Sequence, residues 1–221
     1  MFVLASQGCE NPAKDKPKAQ VGAAVEPAPQ PVAQPATKQA PPAAATETIP
    51  LDPSNSKIEF VAAKVTKSHP GGFSQFKGSL ELGASPEAAK ISLSIDMSSV
   101  YADAEKLTAH LKTPDFFDVA KYPTALFEST EVRAGGEKGA THTIVGNLDL
   151  HGVKRSISFP ATLQLADGLV SAASEFVLNR KDFGIVYPGM PDDLIRDEVV
   201  LKLAIKAPRG QAGSAKPVAT P

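Results

Sequence analysis

A histidine, two aspartates and a Phe-Phe pair crowd into TAHLKTPDFFDVAKYPTALFEST, residues 108–130. His110 with Asp115 and Asp118 has the residue types of a general base with an orienting carboxylate, or of part of a metal site. A metal would need three or more ligands converging from suitable positions. The other histidines offer no obvious convergence, since His69 precedes Pro70, His142 stands near a strand start and His151 lies in a turn. The competing reading is that Phe116 and Phe117 point inward as a hydrophobic plug and Asp115 and Asp118 form its wet rim, with His110 in a structural hydrogen bond. On that reading no residue is catalytic and no metal or cofactor is expected.

Other chemical motifs are missing. No serine nucleophile elbow, P-loop, paired cysteine set or dinucleotide loop occurs, and GGFSQF and AGGEKGA lack the strand and helix context of a phosphate cradle. Arg180 and Lys181, between Asn179 and Asp182, are the better polar candidates. A cation there either meets a ligand headgroup at the end of a strand or, for Arg180, pairs with a carboxylate such as Asp182.

The elements that must position these residues follow from patterning. The chain has 221 residues, 42% of them hydrophobic, and a formal charge of −1. That fits one ordinary core plus something extra. Scattered Lys and Arg leave no electrostatic footprint for nucleic acid. No stretch reaches the roughly 18 apolar residues of a helical membrane span. Cys9 is the single cysteine, so no intramolecular disulfide is expected.

Period-two alternation dominates from Ile49 to Ala207. Ile58, Phe60 and Ala62 share one face; so do Ile91, Leu93, Ile95 and Met97, and Ile144, Gly146, Leu148 and Leu150. Ile157, Phe159, Ala161, Leu163 and Leu165 form a fourth set, Val170, Ala172, Ser174, Phe176 and Leu178 a fifth, and Val199, Leu201, Leu203 and Ile205 a last one. Turn residues at Gly71-Gly72, Gly83 to Pro86, Gly135-Gly136, His151-Gly152 and Asp167-Gly168 separate the runs. The expectation is an all-β domain, an antiparallel barrel of about eight strands that buries one face of each and leaves no exposed edges. Only Ala102 to Lys112 has helical spacing, ended by Pro114, and predicts a short capping helix. A strand from about Thr124 then carries Phe127 inward.

The flanks differ. MFVLASQGCE resembles the end of a bacterial lipoprotein signal peptide, which makes residues 1–9 a remnant of such a segment and Cys9 a lipidation site, against the alternative of a free thiol in a tail. Residues 10–48, rich in Pro and Ala with little to bury, predict a disordered tether, and residues 208–221 a disordered tail. The folded domain is expected over 49–207.

Six ordered blocks give a more specific resemblance: LDPSNSKIEFVA, FSQFKGSLEL, HLKTPDFFDVAKYPTALFEST, VGNLDLHGVKRSISF, LNRKDFGI and RDEVVLKLAI. The chain resembles the YceI-like family of lipocalin-like, polyisoprenoid-binding proteins. One departure is visible, because Leu107 and Thr108 stand where the family often has Arg and Asp. The resemblance implies an elongated cavity for the apolar tail of an isoprenoid quinone or polyprenyl lipid, with no nucleic-acid partner. Its lining or mouth is expected from Phe60, Ile95, Leu111, Phe116, Phe117, Phe127, Leu148, Phe159, Phe176 and Arg180. Small inward residues, Ala62, Gly146, Ala161, Ala172 and Ser174, would leave room between the bulky ones. Carriage or sequestration of that lipid, in a periplasm-facing protein tethered to the bacterial cell envelope through Cys9, is the expected role. A hydrolytic or metal-assisted enzyme using His110 and Asp115 is the alternative, and a filled barrel serving adhesion or stress a third. The oligomeric state is open.

Overall fold

The computed structural model describes residues 11–25, 47–166, 168–191 and 193–209. In chain order the strands are β1 (Gln20–Ala23), β2 (Glu47–Leu51), β3 (Ser56–Ala63), β4 (Ser68–Phe73), β5 (Phe76–Leu82), β6 (Lys90–Asp96) and β7 (Val100–Ala102). After helix α1 (Glu105–Leu111) come β8 (Thr124–Ala134), β9 (His142–Leu150), β10 (Val153–Ala166), β11 (Leu169–Asn179), β12 (Gly189–Met190), β13 (Asp193–Leu194) and β14 (Glu198–Pro208). One antiparallel sheet runs β2-β5-β6-β8-β9-β10-β11-β14-β3-β4-β7, with β1 added on β10; β12 and β13 form a separate hairpin. The sheet curls strongly into a half-barrel around an apolar interior. Beyond the ladder, Ile49 and Leu51 of β2 pack against Val170 and Ala207 of β11 and β14, and Arg209 Nε meets Glu47 Oε2 at 3.0 Å.

Twelve strands in that sheet correct the expected eight. Three runs are each broken by a corner at which the inward set shifts by one residue, Leu51 to Ser56, Phe73 to Phe76 and Met97 to Val100, and a count of runs merges the strands on either side. Between β2 and β3 the Asp52 carboxylate accepts from Ser54 N, and Asn55 Nδ2 donates to the Pro50 carbonyl. A single turn at Met97–Ser99, with the Asp96 side chain accepting from Ser98 N, separates β6 from β7. Ser99 Oγ accepts from Gln75 N and so pins the matching corner between β4 and β5. Short polar side chains that bond the local backbone make such corners cheap.

Gly71 and Gly72 do not form the expected turn. They lie inside β4, and the β3–β4 connection falls at residues 64–67, where Lys64 N donates to the Lys67 carbonyl. A Cβ on Gly71 would lie 2.5 Å from the ring of Phe60, its partner across the ladder. Glycine is needed there because an aromatic ring occupies the side-chain space. Gly146 behaves alike: the Phe127 ring sits 2.5 Å from where its Cβ would be, so this glycine seats an aromatic and adds no room to the interior.

The tether expectation for residues 10–48 is corrected over residues 11–25, which lie along the sheet. Ala13 is buried among Val61, Val177 and Val200, and β1 pairs with Arg155–Ser158 of β10. Low apolar content concealed this because the strap is held by backbone hydrogen bonds, which composition does not report. Cys9, the expected signal remnant, residues 10 and 26–46 of the expected tether, and most of the tail after Pro208 lie outside the described residues.

Candidate functional site: an apolar cavity with an aromatic mouth

Inward residues of the curled sheet enclose a cavity of about 220 Å³. Val199, Leu201, Leu203 and Ile205 all line it, so at about 3.4 Å per residue it follows β14 for about 20 Å. Its waist is aromatic. Phe159 and Phe176 stack with centroids 4.3 Å apart and an interplanar angle of 11°, and Phe127 leans on Phe159 at 5.9 Å. The space remaining between bulky side chains is left by Ala62, Ala161, Ala172 and Ser174. Ser174 Oγ donates to the Pro160 carbonyl at 2.6 Å, so its hydroxyl is satisfied by the wall.

Phe60, Ile95, Leu111, Phe116, Phe117, Phe127, Leu148, Phe159, Phe176 and Arg180 all stand around this one cavity. Sequence alternation placed those on strands; the two loop phenylalanines come from a turn. Helix α1 buries Leu111. Pro114 follows it, and the chain turns back through Phe117 N to the Leu111 carbonyl and Asp118 N to the Thr113 carbonyl. That turn aims Phe116 and Phe117 into the cavity mouth while the Asp115 side chain stays half exposed. Thr108, at the family's departure point, accepts the Ala102 N–H through Oγ1 at 2.9 Å and ties α1 to β7.

A segment passed over in the sequence completes the mouth. Ile185 and Ile195 line the cavity, and Tyr187 packs against Phe116 at 5.4 Å. The signal was an apolar series within the Gly- and Pro-rich GIVYPGMPDDLI, residues 184–195.

Arg180 fastens that segment. It is buried; Nη1 donates to the Ile185 carbonyl at 2.7 Å, Nε to the Arg196 carbonyl at 3.2 Å and Nη2 to Asp197 Oδ1 at 3.2 Å. The paired carboxylate is therefore Asp197, shared with Lys181 at 2.9 Å, and not Asp182. Burial lowers the guanidinium from its ordinary value and Asp197 opposes that shift. All three guanidinium nitrogens thus have protein acceptors, which fits an anchor better than a headgroup receptor.

His110 and Asp115 do come together, with Nε2 2.8 Å from Oδ2. The imidazole also meets Phe116 edge-on at 4.9 Å and Tyr187 at 5.3 Å. The pair is thereby part of the mouth's packing. Among the described residues no group of three or more His, Cys, Asp or Glu gathers as a metal site. The other histidines are separately engaged: His69 with Asp103 at 2.8 Å, His142 with Thr141 Oγ1 at 2.8 Å, and His151 with the Phe183 carbonyl at 3.1 Å.

Comparison with known proteins agrees with this architecture. Residues 50–207 match the family model of the YceI-like domain. A UPF0312 protein of Pseudomonas putida is 38% identical over 127 residues, which are 54% of this chain and 65% of that protein. The alignment therefore spans just under two thirds of that relative. Among solved structures, BcnA of Burkholderia cenocepacia superposes with a TM-score of 0.60 at 20% identity, covering 69% of this chain and 96% of BcnA. A polyisoprenoid binding domain from Saccharophagus degradans, implicated in plant cell wall breakdown, gives 0.58 at 16% identity over 75% of this chain and all of that domain. At such identities the likeness concerns the fold.

Proposed function

Since the chain belongs to the YceI-like family, we propose that it is a noncatalytic binding protein that takes the long apolar tail of an isoprenoid lipid, of quinone or polyprenyl type, into its cavity for carriage or sequestration in the bacterial cell envelope. The observation that carries this reading is the cavity itself: narrow, about 20 Å long by strand rise, and walled mostly by aliphatic and aromatic side chains, with Ser56, Ser174 and Arg180 already bonded to the protein. A branched hydrocarbon matches such a space. Each buried methylene contributes about 0.8 kcal/mol. Several isoprene units therefore offset the ordering cost of binding without a charged recognition group. The Saccharophagus domain's description as polyisoprenoid binding supports the same ligand class. A membrane tether through an acylated Cys9 belongs to the proposal and would keep the cavity near its lipid source.

Native mass spectrometry of the purified full chain, with organic extraction of whatever copurifies and titration with a prenylated benzoquinone, tests the reading. One long-chain isoprenoid per chain, or stoichiometric uptake of the quinone, is the expected outcome. Absence of both would overturn it.

A further inference from the structure

We infer that the N-terminal strap is a removable stave of the wall, and that its release opens a side port between β10 and β11 through which an apolar ligand enters the waist of the cavity. This rests on the reading of that cavity as a binding site for apolar tails.

The two strands make a ladder only near their shared turn, from Thr162–Ala166 of β10 to Leu169–Ala173 of β11. Beyond it they part, and the strap fills the wedge. On one side β1 pairs with β10, Gln20 with Ser158 through Ala23 with Arg155. On the other, Ala19 N donates to the Val177 carbonyl and Val177 N to the Pro17 carbonyl, both at 2.8 Å. The strap thus supplies the backbone partners that β10 and β11 do not give each other there. Its inner residues, Ala19 and Val21, pack against the cluster that contains Phe159 and Phe176. What the strap closes is therefore the cavity's waist.

The attachment is weak beside the long ladder that flanks it. β1 contributes four ladder pairs, whereas β11 and β14 share eleven. Ala19 and Val21 are only partly buried, and Gln20, Gly22 and Ala23 are exposed. Half-exposed ion pairs, Lys16 with Glu175 at 2.8 Å and Lys18 with Glu198, hold its start. The Asn147 amide holds its end, Nδ2 donating to the Val25 carbonyl and Oδ1 accepting from Val25 N. An element with few buried apolar contacts and screened charges opens well below the cost of global unfolding.

The register provides a lock. Gly22 faces Ser156 across the ladder, and a Cβ on Gly22 meets nothing within 4 Å. Antiparallel partners lie within disulfide reach. The full chain carrying G22C and S156C, with Cys9→Ser to prevent mispairing, would be followed by stopped-flow fluorescence with the apolar dye N-phenyl-1-naphthylamine and, separately, with a prenylated benzoquinone. Oxidation should slow uptake by about tenfold or more and reduction should restore it. In the unlocked protein, hydrogen exchange should show the Ala19 and Val177 amides exchanging together, faster than the ladder between β11 and β14. Equal uptake rates in the oxidised and reduced proteins would overturn the port, and strap amides as protected as that ladder would overturn the stave. If the dye enters in a lock-dependent way but no quinone is retained, the port stands and the isoprenoid reading falls.

Discussion

The two ends of the cavity are closed in different ways. At one end Ile49, Leu51, Leu80, Leu82, Val170 and Ala207, all on regular strands, pack together, and Arg209 and Glu47 tie the margin. At the other, aromatic and aliphatic side chains from α1, the 113–123 turn and the 185–195 segment meet edge to face, behind half-exposed polar pairs. Strand-borne aliphatics share a continuous ladder with the fold. Loop-borne aromatics can move without breaking a ladder. The first end is therefore a floor and the second a mouth, with the strap between them along the wall.

That contrast can be broken by substitution. Leu51→Ala at the floor should cost about 2–5 kcal/mol in urea unfolding, as for other fully buried leucines, with ligand release unchanged per folded molecule. A much faster release would make the floor a second mouth. Asp197→Asn, which leaves the buried Arg180 without its counter-charge, should cost about 1–3 kcal/mol and accelerate release by loosening residues 185–195. Phe117→Ala, at a partly buried mouth position, should cost about 1–2 kcal/mol yet raise the quinone dissociation rate more than Leu51→Ala does, as measured by competition kinetics.

The smallest effect concerns pH. Lys16, by hydrogen bonding and charge, and Lys202 hold the Glu175 carboxyl below its ordinary value of 4.5. A folded-state pKa depressed below the unfolded one stabilises above the unfolded value, and the contribution disappears as pH falls through the folded one. Amide protection in the strap should thus be level from neutral pH to about 5 and decline below about 4.5, more than protection at the floor does. The exposure of both partners keeps this decline modest.

Much of the site was legible because the pleat enforces it. A period of two assigns Phe60, Ile95, Leu148, Phe159 and Phe176 to one face without any knowledge of partners, and the curl of the sheet brings those faces together, although its end strands β2 and β7 do not pair and the expected closed barrel is an open half-barrel. Corners were hard to read: at Ser74-Gln75 and Met97–Ser99 the inward positions change parity, from Phe73 to Phe76 and from Met97 to Val100, a one-residue shift of phase between runs too short to reveal it. Gly71-Gly72 misled for a related reason, since glycine marks either a turn or a ring packed on bare backbone, and only the position of Phe60 decides. Arg180 found Asp197 through a contact 17 residues away that the adjacent Asp182 obscured. The strap was hidden most completely, because Pro17 to Ala23 partly bury one valine and one alanine and owe their place to wall strands that part at Ala161 and Ser174.

The central claim is that an apolar tail occupies the interior, and filling that interior tests it most directly. Ala172 lines the cavity beside Ser174 and Phe176, and Ala172→Phe would occupy the space with hydrocarbon, at an overpacking cost of about 1–3 kcal/mol. Native mass spectrometry of the folded variant and of the unaltered chain, each titrated with a prenylated benzoquinone, should show one quinone bound to the unaltered chain and none to the variant, with the far-ultraviolet dichroism of the two alike. Equal binding by both folded proteins would contradict the account and place the ligand outside the cavity.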